Sequence, residues 1–414
     1  MTKNFKKFLL LWSGELISSI GGGLTSFGLT VYVFSQTGSA SSTALIALLA
    51  FLPNLLLGVP AGVLADRADR RLLMMLGDGL SALGLIYILI CMLNGGAQTW
   101  QICLGVTVSS VFSSLMDPAY KATVSDLLTE EEYVKASGFV NIAGSARYLI
   151  SPFLAGLLLA VSDIKLLLII DISTFVLTVI TTAVVRHGMT QSKKKKSASF
   201  AEDLKVGWKA VTGNRGLITL VVMSALMTFC MGAIQILSEP MILDFESSKI
   251  LGIVETICAS GMLVTSVLLG AKGMKKGIVK ALCLSLGISG ICMSVFGLRE
   301  NLIIIGISGF VFFTMIPVAN SSLDYLVRTN ISNELQGRAW GVIGFISQLG
   351  YVASYGLSGI LADNIAKTAG ISVGRGSAAV IMISGVCLLL SAILLYCMKN
   401  VRGLEKNKLN SVSN

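Results

Sequence analysis

Six ionisable residues lie inside long apolar stretches of this sequence, where a charge is difficult to accommodate. They are Glu15, Asp78, Arg147, Asp171, Glu239 and Glu255. A charged side chain at the centre of a membrane-length apolar segment costs on the order of 3 kcal/mol, so such residues are usually kept for binding or proton transfer. The chemistry that these residue types indicate is uptake and release of a proton by a carboxyl, with Arg147 as the one fixed cation.

Glu15 has the clearest surroundings of these candidates. Helical spacing places it on one face with Ser18, Ser19 and Gly22, a small and polar surface that favours the wall of a cavity. Glu15 and Asp78 each lie about seven residues from one end of their apolar stretches, roughly 10 Å deep at 1.5 Å per residue. We therefore expect both carboxyls to face one vestibule, where desolvation makes a carboxyl suited to carry a proton.

Each acid also has a structural interpretation, as an N-cap, an interhelix hydrogen bond or an ion pair with the guanidinium. We favour the structural role for Asp171, early in its stretch, and for Glu239, near the end of its stretch. We favour a functional role for Glu15. Both interpretations stay open for Asp78 and Glu255.

A second group of charges lies between two apolar runs, in the ten residues 62–71, which read GVLADRADRR. Five of these ten residues are charged, whereas the whole chain is only 13% charged. Gly62 and Ala65 are small enough to let two helix ends approach closely. The mixture of acids and bases indicates a polar hinge whose salt bridges form and break.

The elements that position these residues are membrane-spanning helices, because about 20 apolar residues cross a bilayer. The chain is 54% hydrophobic, and soluble domains carry about twice its share of charge. The fold class is therefore an all-α membrane protein with twelve spans. They are predicted at 8–34, 42–65, 72–93, 99–120, 136–161, 164–186, 217–243, 249–271, 278–298, 301–323, 338–362 and 378–398.

The longest polar stretch divides the spans into two groups of six. We predict an N-terminal half at 1–186, a linker at 187–216 and a C-terminal half at 217–414. The linker contains the basic run Lys193–Lys196 and a predicted amphipathic surface helix over Phe200–Thr212. Two six-helix halves are typical of several transporter folds.

The positive charges are strongly asymmetric across the predicted membrane. Of the 32 Lys and Arg residues, 26 fall in the loops and termini of one side and 5 in the loops of the other. By the positive-inside rule, both termini and the linker are cytoplasmic and the protein lies in the cell membrane. The basic excess then faces anionic lipid, which leaves no reason to expect nucleic acid as a partner.

Several kinds of chemistry lack their usual residues. The eight cysteines are scattered singly through apolar runs, and the single histidine is His187, so we expect no metal site and no cofactor. No HExxH, P-loop or aspartate-rich motif is present, and a GxGD signature fails because Met75 occupies its first glycine position. We expect no enzyme activity, and we expect a monomer.

The stretch 62–71 resembles the motif G-x-L-A-D-R-x-G-R-[KR] found between helices 2 and 3 of the major facilitator superfamily. Asp69 replaces the usual second glycine. Across nearly its full length, the chain resembles the macrolide-efflux branch of the superfamily's drug exporters. Supporting stretches are Thr37–Ala40, Phe51–Pro53, Pro118–Ala119, Ser151–Pro152, Ile170–Asp171 and Gly337–Arg338.

The resemblance implies secondary-active export of amphipathic, macrolide-like drugs or metabolites by alternating access, with proton antiport. Sodium in place of the proton stays open. An alternative of the same fold is export of an endogenous siderophore, peptide or antibiotic, which the sequence does not separate from drug export.

The resemblance also implies a cytoplasmic latch that holds the outward-open state. In this latch Arg70 pairs with Asp126, and Asp117 is a nearby acid that could pair with Arg70 instead. The latch residues are Gly62, Asp66, Arg67, Arg70, Arg71 and Asp126. For Asp69 we favour a solvated side chain over pairing with Arg67 or Arg71. Arg338 is the weaker counterpart in the second half.

The exporter pattern is altered in the helices that follow. The place of a helix-4 arginine, found in many proton-driven exporters of the superfamily, is Ser109 here, and Arg147 interrupts the helix-5 motif. We hypothesise that the intramembrane cation moved to helix 5.

Overall fold

The computed structural model describes residues 2–186, 200–273 and 277–412, and every regular element in this part of the chain is a helix. The run Lys193–Lys196 lies outside the described residues. The fifteen helices are α1 (Lys3–Thr37), α2 (Ala40–Arg67), α3 (Arg70–Leu93), α4 (Thr99–Ser113), α5 (Met116–Leu127), α6 (Glu130–Val161), α7 (Ile164–Arg186), α8 (Phe200–Thr212), α9 (Arg215–Leu243), α10 (Ser248–Lys272), α11 (Ile278–Phe296), α12 (Leu302–Asn330), α13 (Asn333–Ala369), α14 (Val373–Cys397) and α15 (Lys399–Val412).

In the described residues, eleven helical segments are long and apolar enough to cross a membrane, with α4 and α5 counted together. The twelfth predicted span, 338–362, falls inside α13, which is long enough at 37 residues. This helix is less apolar than the other spans because it carries Gln348 and several serines and tyrosines. The predicted all-α membrane architecture is confirmed, and α8 has the predicted bounds.

The predicted fourth span, 99–120, is interrupted between α4 and α5. Pro118 explains the break, because its ring clashes with the carbonyl four residues earlier, at Ser114, and it has no N–H to donate. The chain then continues as α5 to Leu127, so Asp126 lies in the last turn of a helix.

The contacts between helices group the chain into two compact units. Unit 1 comprises Met1–Gly38, Leu45–Ser197 and Glu246–Thr256, and unit 2 comprises Ser39–Ala44, Ala198–Phe245 and Ile257–Asn414. The division falls within the predicted linker, and α8 belongs to unit 2. The boundaries drawn from sequence, at 186 and 217, stay a prediction.

In unit 1, α1 packs closely against α7 through glycines spaced seven residues apart. A Cβ atom added to Gly14 would lie 2.7 Å from the Thr181 hydroxyl, and one added to Gly21 would lie 2.7 Å from the Thr174 hydroxyl. Gly28 continues the same line. Small residues of this kind let membrane helices approach until their backbones nearly touch.

An apolar cluster closes the end of unit 1 that is predicted to be cytoplasmic. Trp12 packs against this cluster and donates from Nε1 to the carbonyl of Phe139 at 2.6 Å. We call this set the unit 1 apolar cluster. Its buried members are Phe5, Phe8, Leu11, Ala65, Leu73, Met74, Met116, Ala119, Tyr120, Val124, Leu127, Ala136 and Val185.

Unit 2 is held by α9 against α13 and by α11 against α14. Between α9 and α13, the Ser224 and Ser347 hydroxyls lie 2.7 Å apart. Between α11 and α14, Gly290 and Gly385 face each other, and an added Cβ on either would lie within 2.7 Å of the other's carbonyl oxygen.

Candidate functional site

Arg70 is the centre of the predicted latch. It begins α3, and its Nη1 lies 2.7 Å from Asp126 Oδ1 in the last turn of α5. The same guanidinium donates to the carbonyls of Ala65, at 3.1 Å, and Ala122, at 3.2 Å. The predicted contact between Arg70 and Asp126 is confirmed. The competing acid, Asp117, instead accepts from Lys121 Nζ at 2.7 Å.

The other residues of the 62–71 stretch contribute less to this contact. Asp66 is exposed and lies 3.5 Å from Arg70, and Arg67 is also exposed. Arg71 is buried, and its Nε has no hydrogen-bond partner among the described residues. A Cβ added to Gly62 would meet no atom within 4 Å. The expectation that Gly62 serves close helix approach is therefore wrong for this structure.

Asp69 has a defined structural role. Its carboxylate caps α3 by accepting from the backbone N–H groups of Arg71, at 3.0 Å, and Leu72, at 3.4 Å. It also accepts from Arg186 Nε of α7 at 3.0 Å. The interpretation of Asp69 as a solvated side chain is wrong. The available signal was its position directly before a helix, where an acid satisfies free N–H groups and the helix dipole.

Three of the predicted intramembrane acids come from neighbouring helices of unit 1. Asp78 of α3 and Asp171 of α7 are buried, and Glu15 of α1 is half-buried. The three helices form one packed group, because α7 packs against both α1 and α3. The described residues place no cation within 4 Å of these carboxyls. The structure thus brings together three of the five predicted acids.

The polar face of α7 was missed from sequence. Thr174 donates to Asp171 at 3.4 Å, and Thr178 faces the carboxyl of Asp78. An added Cβ on Gly21 of α1 would lie 2.8 Å from Asp171 Oδ1, which shows how closely this acid packs on α1. The spacing of threonines and Asp171 by three or four residues in an apolar helix was the signal that could have revealed this face.

Arg147 forms no salt bridge with these acids among the described residues. Its side chain is exposed on α6, and only longer-range electrostatic coupling links it to Glu15 and Asp171. One turn later, Ser151 donates to the carbonyl of Ile20 at 3.0 Å and fixes α6 on α1. The alternative in which an acid forms an ion pair with Arg147 is not realised in the described residues.

The remaining two acids lie elsewhere. Glu255 is half-buried on α10, and the next residue, Thr256, donates to the carbonyl of Leu149 on α6 at 3.1 Å, within unit 1. Glu239 is half-buried on α9 of unit 2, one turn after Gln235, whose amide oxygen accepts from a tyrosine hydroxyl of α13. Neither acid is brought into the group around Glu15.

No cluster of three or more His, Cys, Asp or Glu side chains suited to a metal ion occurs in the described ranges. What the unit 1 arrangement offers is a group of carboxyls and hydroxyls in an apolar surrounding. Such a group holds or exchanges a proton or another small cation.

Residues 11–355 match the sequence profile of the Major Facilitator Superfamily. The chain belongs to this superfamily. It is therefore a multi-pass membrane transporter of small molecules and not an enzyme. The predicted resemblance to the superfamily and its macrolide-efflux branch is confirmed.

Two relatives illustrate the similarity. "Macrolide efflux protein A" of Streptococcus pyogenes is 27% identical over 370 residues, which cover 87% of this chain and 90% of the relative. "Multidrug efflux pump Tap" of Mycolicibacterium fortuitum is 24% identical, covering 86% and 89% of the two chains.

Solved structures agree on the fold. A bacterial homologue of the human lysosomal transporter Spinster has a TM-score of 0.74 at 12% identity and covers 96% of this chain and 97% of its own. A bacterial homologue of the iron transporter ferroportin has a TM-score of 0.72 at 13% identity, covering 95% and 100%. At these identities the likeness shows the shared fold alone.

Proposed function

We propose that this protein exports amphipathic, macrolide-like compounds across the cell membrane by alternating access, with proton antiport as the energy source. The efflux proteins to which it is similar support the direction and the class of cargo. We further propose that both termini lie in the cytoplasm, which the distribution of Lys and Arg supports, and that the protein acts as a monomer.

The observation that carries the coupling proposal is that Glu15, Asp78 and Asp171 lie on helices that pack together in unit 1, with Asp78 and Asp171 buried and no cation within 4 Å among the described residues. Two ionised carboxyls in an apolar interior repel each other, and a bound proton relieves that repulsion. If substrate and proton favour opposite conformations of the transporter, binding of one shifts the equilibrium against the other. Each proton that enters down a potential of ~100 mV supplies about 2.3 kcal/mol for the cycle.

The contact between Arg70 and Asp126 supports a second part of the proposal. It joins the beginning of α3 to the end of α5, so a movement of α3 relative to α5 must break it. We assign it the role of a latch that stabilises one end state of the cycle, with Asp66 as a weaker member.

Drug accumulation tests the proposal in cells. Expressed in a host without major efflux pumps, the wild-type protein is expected to lower macrolide accumulation at least fivefold, and Glu15→Gln to remove most of that effect. Asp163→Asn is a matched control, because Asp163 is an exposed carboxyl that caps α7 and asparagine keeps the cap. Normal macrolide efflux by Glu15→Gln at equal expression would contradict the assignment of Glu15.

A further inference from the structure

Four buried polar atoms of unit 1 have no hydrogen-bond partner among the described residues: Oγ1 of Thr25, Nε of Arg71, Oδ2 of Asp78 and the hydroxyl of Tyr120. The last two come from helices that pack on each other, α3 and α5. The residues that carry them are only 5% and 4% exposed. Native proteins satisfy almost all buried polar groups, with water or an ion where no protein partner is in reach. Both atoms therefore indicate a small polar ligand.

The packing of α3 on α5 places these two atoms in the same region. A Cβ added to Gly77, next to Asp78, would lie 3.4 Å from the backbone nitrogen of Met116 at the start of α5. Tyr120 follows Met116 by one helical turn, and Met74 precedes Asp78 by one turn. Met74, Met116 and Tyr120 belong to the unit 1 apolar cluster, and Asp78 lies one turn along α3 from its member Met74.

Helices α1 and α7 complete the surroundings of this region. The methyl group of Thr178 would be 3.5 Å from a Cβ on Gly14, and the same threonine faces the carboxyl of Asp78. Glu15 directly follows Gly14 on α1, and α1 also contacts α5, which carries Tyr120. Glu15, Asp78, Thr178 and Tyr120 thus come from four helices that pack around one region of unit 1.

The charges that face this place are mostly negative. Asp117 and Arg147 act on Glu15, and Asp78 acts on Asp171. Arg147 is the one cation in this set. With its carboxyls ionised the region carries excess negative charge in an apolar surrounding, and oxygen ligands suit a small, hard cation.

We propose that Glu15, Asp78, Thr178 and Tyr120 form a binding site for one water-sized monovalent cation, a hydrated proton or Na⁺. The phenol of Tyr120 acts as a neutral oxygen ligand, and the carboxyls supply the charge. As the place where the coupling ion binds, the site rests on the proposed function, but binding itself is measured without transport.

Thermal unfolding of the purified full-length protein in detergent tests the site. One arm compares NaCl with choline chloride at equal ionic strength at pH 8, and the other compares pH 5.5 with pH 8 in choline chloride. If Na⁺ is the ligand, we expect it to raise the unfolding temperature by several degrees at pH 8. If the ligand is the hydrated proton, Na⁺ has no specific effect and acidification stabilises the protein.

Variants that remove one oxygen each decide whether this site is responsible. In the arm that responds, Tyr120→Phe and Asp78→Asn are expected to weaken the apparent cation affinity at least tenfold. Met74→Leu, a packing change in the same cluster, and Asp163→Asn, an exposed carboxyl, are expected to respond like the wild type. Thr178→Val replaces Tyr120→Phe if the latter variant does not fold.

A wild-type response in Tyr120→Phe or Thr178→Val would overturn the proposal, as would a wild-type protein that responds in neither arm. The proposed function fails separately. A protein that binds the cation as expected but exports no macrolide would contradict the export proposal and leave the cation site supported.

Discussion

Units 1 and 2 each carry an Arg–Asp pair at the end of a membrane helix, but the two pairs connect different things. In unit 1, Arg70 begins α3 and contacts Asp126 at the end of α5, 2.7 Å away. In unit 2, Arg328 contacts Asp324, one turn earlier in the same helix, at 2.8 Å. The first pair fixes two helices relative to each other, whereas the second stabilises only α12.

The unit 1 pair is also less exposed to solvent than the unit 2 pair. Both side chains of the unit 1 pair are 21% exposed, whereas those of the unit 2 pair are 58% and 45% exposed. Exposed pairs within one helix contribute about 0.3–0.5 kcal/mol, because water and salt screen them. Unit 2 instead links α12 to α13 by placing Arg328 over the ring of Trp340, 5.8 Å from its centroid. Of these two pairs, only the unit 1 pair joins two different helices, which suits the latch that we propose.

The largest difference between the units is expected when each pair loses its acid. Asp126→Asn should reduce macrolide export at least tenfold, because the Arg70 guanidinium keeps its carbonyl contacts but loses its charged partner. Asp324→Asn should change export less than twofold, since its pair is local and exposed. Export measured as drug accumulation at equal expression checks both variants, and equal losses would remove the distinction between the two pairs.

A large effect on stability is expected at Asp363, where unit 2 has a carboxylate contact of its own between helices. Asp363 of α13 accepts from the backbone N–H groups of Ala40, at 2.9 Å, and Ser41, at 3.0 Å, and from the hydroxyl of Ser39 at 2.7 Å. Asp363→Ala should cost about 2 kcal/mol of stability, because this cap of α2 is lost.

Asp363→Asn should retain part of the stability, and Asn364→Ala, at an exposed neighbouring position, should be neutral. Thermal unfolding of the purified variants provides the measurement. If Asp363→Ala and Asn364→Ala unfold at the same temperature, the cap does not contribute.

The α1–α7 interface of unit 1 can be tested with two adjacent glycines. Gly21→Ala should destabilise the protein by about 1–2 kcal/mol, since its Cβ would lie 2.7 Å from Thr174 Oγ1 and 2.8 Å from Asp171 Oδ1. Gly22→Ala should not, because an added Cβ there meets no atom within 4 Å. Thermal unfolding of the two variants side by side measures the difference, and identical unfolding temperatures would argue against close packing here.

The smallest effect is expected at Asp69, which combines a cap with an ion pair. Asp69→Ala should cost about 1 kcal/mol, mostly through loss of the α3 cap. Asp69→Asn keeps an oxygen for the cap and loses only the charge next to Arg186, so its cost should be smaller and should shrink with added salt. Unfolding temperatures at low and high salt separate the contribution of the cap from that of the ion pair. Equal losses of stability in Asp69→Ala and Asp69→Asn would exclude the cap as the larger contribution.

Features that depend on local pattern were predictable from sequence. Runs of about 20 apolar residues gave the spans, and the bounds of α8 followed from its amphipathic stretch. The contact between Arg70 and Asp126 was predictable only through resemblance to a family, because nothing in the spacing of the two residues requires it.

Features that arise from contacts between distant segments were not predictable. Tyr120 lies in an ordinary helical stretch, and its hydroxyl is buried only because α5 packs into the unit 1 apolar cluster. Asp363 contacts residues more than 300 positions earlier in the chain. Asp69 has two roles of different kinds. Its cap of α3 was predictable from its position before the helix, whereas its ion pair with Arg186, more than 100 residues later, was not.

Uptake of a labelled macrolide into inside-out vesicles tests the central claim most directly, namely that the carboxyls of unit 1 couple ion entry to export. With an imposed proton gradient, acid inside, wild-type uptake should rise severalfold, as should that of Asp163→Asn. Glu15→Gln should show no dependence on the gradient. Gradient-driven uptake by Glu15→Gln at the wild-type level would contradict the claim.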